Sequence, residues 1–97
     1  MSQPLPTDDP GLTQFLAEEV RQGYYADDLA ERTQATLRGE TPLGASGNAY
    51  YVAFTPTEIT IEHHYLTDWP VVRMAPARFL AALREWRGQL DSPQSGQ

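Results

Sequence analysis

The chain has 97 residues and contains neither cysteine nor lysine. Without thiols, no disulfide and no thiolate metal site can support the fold, and a reducing compartment suits it. Without lysine, a phosphate loop cannot be completed. Gly44-Ala45-Ser46-Gly47 resembles a fragment of one, but Asn48-Ala49 follows where Lys-Ser/Thr is required. Long apolar runs are also missing. No segment approaches the roughly 20 apolar residues of a membrane span. Residues 1–10 have neither the basic start nor the apolar run of a signal peptide. A cytoplasmic protein without a membrane segment is expected.

What is present is acid. The formal net charge is −6, and all seven basic residues are arginine. The distribution is uneven: residues 1–68 hold eleven acids against three arginines, and residues 69–97 hold two acids against four arginines. Such a surface repels nucleic acid and anionic membrane, so direct binding of either is not expected. It suits a basic protein partner, and it also simply keeps a small domain soluble.

At this length a single domain is expected, burying about 60–65% of the surface its unfolded chain exposes. Residues 1–9 read as a mobile arm and residues 91–97 as a polar tail. Asp9-Pro10 has the chemistry of a helix start. Leu12, Phe15, Leu16 and Val20 then recur at helical spacing. Gly23 is read as the end of this helix and Tyr24-Tyr25 as the connection. Asp27-Asp28 would open a second helix against its N-terminal dipole, running to Arg38 with Gly39 as the stop. Gly23, Ala26, Ala30 and Leu37 remain in phase with the first stripe, so one long helix over 12–38 competes with two short ones.

Residues 40–48 read as a loop punctuated by Pro42, Gly44 and Gly47. Alternation then marks a strand over 49–55, a turn at 55–58 and a second strand over 59–65, together an antiparallel hairpin. Residues 66–70 form a turn, and 71–74 could add a short edge strand after Pro70. Pro76 opens a last helix striped by Phe79, Leu80, Leu83, Trp86 and Leu90. The order implies an α+β domain. A helical N-terminal segment and a C-terminal helix pack on a small antiparallel sheet of two or three strands. Its open edge invites pairing with a second copy, a homodimer.

No catalytic motif stands out. Adjacent strand positions send His63 and His64 to opposite faces, so the pair cannot readily grip one metal ion. His63 shares the isoleucine side and would cap a core edge or face a partner. Glu62 and His64 share the other side and could form an acid/base pair, but they lack a nucleophile or third ligand. Ser46 has no base near it in sequence and no nucleophile elbow around it. Asp8-Asp9 and Asp27-Asp28 are explained by capping. Alternatively, Glu18, Glu19, Asp27, Asp28 and Glu31 combine into an acidic helical face for a partner. Of the aromatics, Tyr50 belongs inside with Val52 and Phe54. Tyr51 and Trp69, with His64, are candidates for contact area, since such side chains dominate binding surfaces; partial burial at the core edge is the plainer account.

Three features recur in order. Leu37-Arg38-Gly39-Glu40 closes a helix. Gly47-Asn48-Ala49-Tyr50-Tyr51-Val52 opens a strand, and Ile59-Thr60-Ile61-Glu62 follows a short turn. Phe79-Leu80, Leu83 and Trp86-Arg87 lie in the closing helix. Over roughly residues 30–90 the chain resembles small bacterial proteins of the YacL-like type and some immunity proteins of contact-dependent growth inhibition systems. The second likeness implies a cofactor-free module that binds and blocks a toxin, often a nuclease, and does no chemistry. The expectation is therefore a non-catalytic protein-binding module for a basic partner. Association would be steered by Glu18, Glu19, Asp27, Asp28 and Glu31 and completed by Tyr51, His64 and Trp69.

Overall fold

The computed structural model describes residues 10–91. In chain order the elements are α1 (Pro10–Glu19), α2 (Gly23–Leu37), β1 (Ala45–Ser46), β2 (Tyr50–Phe54), β3 (Ile59–His63), β4 (Val72–Met74) and α3 (Pro76–Asp91). The strands form one antiparallel sheet in sequential order β1-β2-β3-β4. The architecture is α+β as the sequence implies, with helices gathered on one face of the sheet. The arm expected over residues 1–9, the Asp9 cap and the tail beyond residue 91 lie outside the described residues.

Period-two alternation decides the two faces. Tyr50, Val52, Phe54, Ile59, Ile61, Val72 and Met74 are buried toward the helices, while Tyr51, Glu62 and Arg73 are exposed on the other side. Leu12, Phe15 and Leu16 of α1, with Val20 just after it, close over this inner face, joined by Phe79 and Leu83 of α3. Phe15 meets Tyr50 edge-on at 5.4 Å between centroids, and Phe79 lies 6.5 Å from Phe15 and 6.4 Å from Phe54. Phe79 thus joins both helices to the sheet.

The helical segment is broken, but not as its sequence implies. Gly23 starts α2 instead of ending α1, and Tyr24-Tyr25 lie in the first turn of α2 instead of forming a connection. Asp27-Asp28 sit a turn inside the helix and do not open it. Tertiary contact overrides the local signals here. The Trp86 indole N–H donates to the Val20 carbonyl at 2.6 Å, satisfying an acceptor at the end of α1 from a helix 66 residues away. A Cβ on Gly23 would meet the Arg87 guanidinium at 2.7 Å. The glycine is therefore where α3 lays an arginine across the start of α2. Gln22 precedes the helix in extended backbone without a side-chain cap.

The glycine stop after α2 is where the sequence puts it, with the helix ending at Leu37 and Arg38 as its cap. Gly39 has φ 89°, and its N–H bonds the Thr36 carbonyl while that of Glu40 bonds the Ala35 carbonyl. This is the paired capping that a left-handed glycine provides. Buried Thr33 and Thr36 donate their hydroxyls to Leu29 and Thr33 carbonyls within the helix, so neither is left unsatisfied.

The sheet has four strands where two or three are expected. The additional one, β1, lies inside the segment read as a loop and pairs Ala45 with Val52 and Ser46 with Tyr51. Two residues between glycines carry no periodicity. The strand is held from outside, by Arg32 of α2 donating to the Leu43 and Gly44 carbonyls at 2.9 and 3.1 Å. The strand expected over 59–65 stops at His63, whose ring accepts the amides of Tyr65 and Leu66 where the chain turns.

Replacing Phe79 by alanine should cost about 3–5 kcal/mol, because it empties a site shared by α1, α3 and the sheet. Urea denaturation followed by circular dichroism checks this. A loss below about 1 kcal/mol would mean that the helices do not share one core.

Candidate protein-binding surface

The acidic residues do not make one face. Glu18 turns to the sheet and accepts the Tyr50 hydroxyl at 2.6 Å. Glu19 reaches the β1–β2 turn, where a Cβ on Gly47 would collide with its carboxylate. Asp28 pairs with Arg32 at 3.1 Å, and Arg32 in turn holds the start of β1. Glu19 and Asp28 thus serve the surroundings of β1, and Glu18 the start of β2. Asp27 points the other way and pairs with Arg87 of α3 at 3.1 Å. Glu31 lines a groove between α2 and α3 with Asp27, Ala30, Arg84 and Arg87. Helical geometry separates them: positions 27 and 31 share one face, and 28 and 32 the next.

Tyr50 is the best-anchored of the aromatics. Its ring is 1% exposed and contacts Phe15, His63 and Trp69. Burial first, then the hydrogen bond to the Glu18 carboxylate and its charge, push its phenol from the ordinary 10 up to about 12. Tyr25 is raised too, chiefly by burial and secondarily by Glu19 and Asp28. Trp69 belongs with this inner set: half-buried, it donates its indole N–H to Gln14 of α1 at 3.2 Å.

Tyr51 and His64 come together on the open face. Register places Ser46 opposite Tyr51 and Tyr51 opposite Glu62, a row across three strands. The Ser46 hydroxyl and His64 Nε2 are hydrogen-bonded at 3.1 Å. Tyr65, 71% exposed, meets the His64 ring edge-on at 5.9 Å. Gly44 makes room for the row, since a Cβ there would strike the Tyr51 phenol. Glu62 and Asp68 enter no ion pair among the described residues, whereas Arg32, Arg38, Arg73 and Arg87 are each matched to an acid. His63 points inward and His64 outward, as strand alternation requires.

Of the eight expected contact residues, the structure therefore unites Tyr51 and His64. It places Trp69 in the core edge, divides the helical acids between two sides, and pairs Asp27 and Asp28 with arginines. Ser46 and Tyr65 join the cluster unannounced. Ser46 was legible only with the β1 register, and Tyr65 only once β3 was known to end at His63.

The raised Tyr50 phenol fixes an alkaline signature. Its folded value exceeds the unfolded one, so its stabilisation is complete below pH 10 and is lost as pH rises through about 12. Tyr50→Phe should cost about 1.5–3 kcal/mol at pH 7, through loss of a hydrogen bond to a carboxylate. It should also flatten the decline above pH 10. Urea titrations at pH 7 and 11 check both; equal alkaline losses in the two proteins would place the effect elsewhere.

No family model, curated protein or solved structure matches the chain.

Proposed function

We propose that the chain is a small non-catalytic protein-binding module that takes a basic partner on the helix-free face of its sheet. The observation that supports this is the row Ser46–Tyr51–Glu62 with His64 and Tyr65 beside it. Glu62, which enters no ion pair among the described residues and lies opposite Tyr51, suits an arginine or lysine of a partner. The carboxylate supplies charge and the ring faces supply cation–π attraction. The net charge of −6 adds long-range steering toward a basic surface. A basic toxin, such as a nuclease, is the partner class that the resemblance to immunity proteins adds.

The helical acids contribute less to this reading than Glu62 does. Asp27 and Asp28 are already matched to Arg87 and Arg32. Reversing their charge would disturb those exposed pairs, which are worth at most about 1 kcal/mol each. A second reading, a homodimer, is favoured by β4, a three-residue strand at the sheet edge. The opposite edge, β1, is approached by Arg32. Light scattering across a concentration series distinguishes a dimer from a monomer.

The tagged chain, recovered from its native lysate after nuclease treatment, should retain a basic protein at stoichiometric level. Glu62→Arg and Tyr51→Ala should each weaken that complex about tenfold or more with unchanged melting temperature. Asp27→Lys should alter mainly its salt dependence. Full retention by both sheet-face variants, or recovery of the chain alone, would contradict the proposal.

A further inference from the structure

The β3–β4 connection is held by an uncommon acceptor. His63 Nδ1 receives the backbone N–H of Tyr65 at 3.1 Å and that of Leu66 at 3.1 Å. A backbone amide can only donate, so the ring nitrogen must accept, and the neutral imidazole carries its proton on Nε2. The ring is fixed by edge contact with Tyr50 at 4.8 Å and by Trp69 and Tyr65 at 5.9 and 6.1 Å. It cannot swing away and leave the two amides to another partner without giving up this stack.

We infer that His63 is a proton-controlled clip that holds the start of the β3–β4 connection only while Nδ1 is unprotonated. An imidazolium has N–H donors on both nitrogens and would face two amide hydrogens donor to donor. A histidine ring nitrogen that accepts when neutral becomes a donor on protonation, so the clip has two states. The titratable groups around it are Tyr50 on β2, Tyr65 in the connection and, on α1, Glu18 bound to the Tyr50 hydroxyl.

Release is local. Trp69 stays tied to Gln14 of α1, and the His64 amide stays bonded to the Ala49 carbonyl at 2.7 Å. The freed stretch is therefore centred on Tyr65 and Leu66, both exposed. Protonation would draw Tyr65 off the His64 ring and so alter the open sheet face. The clip depends on the His63 geometry and stands whether or not that face binds a partner.

Nuclear magnetic resonance of the ¹⁵N-labelled full chain between pH 8 and 5 tests this. At pH 8 the His63 imidazole should be the Nε2–H tautomer. Through its titration, protection of the Tyr65 and Leu66 amides, corrected for intrinsic exchange, should fall about tenfold or more, while Val52 and Ile61 stay protected. His63→Asn keeps a side-chain acceptor of the turn-forming kind and should retain protection at pH 5; His64→Ala should respond as the parent does. An Nδ1–H tautomer at pH 8, or unchanged protection through the titration, would overturn the inference. If the asparagine variant does not fold, the tautomer and titration of the parent chain decide alone.

Discussion

A buried tyrosine has to place its hydroxyl, and the arrangement of this protein follows from how Tyr50 does so. Its ring lies in the core, where an unpartnered hydroxyl would cost about 1–3 kcal/mol. Glu18 at the end of α1 supplies the acceptor. That one bond fixes where α1 ends over the sheet. Around the same ring stand Phe15 from α1, His63 from β3 and Trp69 from the connection to β4. Two stretches far apart in sequence, α1 and the β3–β4 region, are registered against a single side chain of β2. The Phe15–Phe79 contact then carries the registration to α3.

The inner demand shapes the outer surface. Glu18 serves Tyr50 of β2, Glu19 lies on Gly47 and Asp28 holds the Arg32 that bonds the start of β1, so the acids nearest the sheet are committed to its inner structure. Asp27 is committed to joining α2 and α3 through Arg87. The face that no helix covers carries none of these four acids. Strand alternation, which sends Tyr50 and His63 inward, necessarily sends Tyr51, Glu62 and His64 outward. Core and open face are thus two outcomes of one pattern.

The same logic explains what could be read from the sequence. Both faces of β2 and β3 were legible, because five-residue alternation is a strong signal. So was the Gly39 stop, since a glycine after a helical stripe has a specific geometric use. The opposite destinations of His63 and His64 also followed from the pleat. β1 was not legible: two residues carry no period, and its support comes from Arg32 on another element. The start of α2 was misread because Gly23 is small to admit Arg87, a reason lodged in α3. The helical acids looked like one face until the break between α1 and α2 set their directions. Trp69 looked like a contact residue because its indole partner, Gln14, is 55 residues distant.

The central claim is that the helix-free face of the sheet is where this protein meets another. The most direct measurement maps amide shifts on the ¹⁵N-labelled chain while the basic protein recovered with it is titrated in. The account expects the largest changes at Ser46, Tyr51, Glu62, His64 and Tyr65, with Leu29 and Leu83 little affected. Changes confined to the groove between α2 and α3, leaving the sheet face silent, would contradict it.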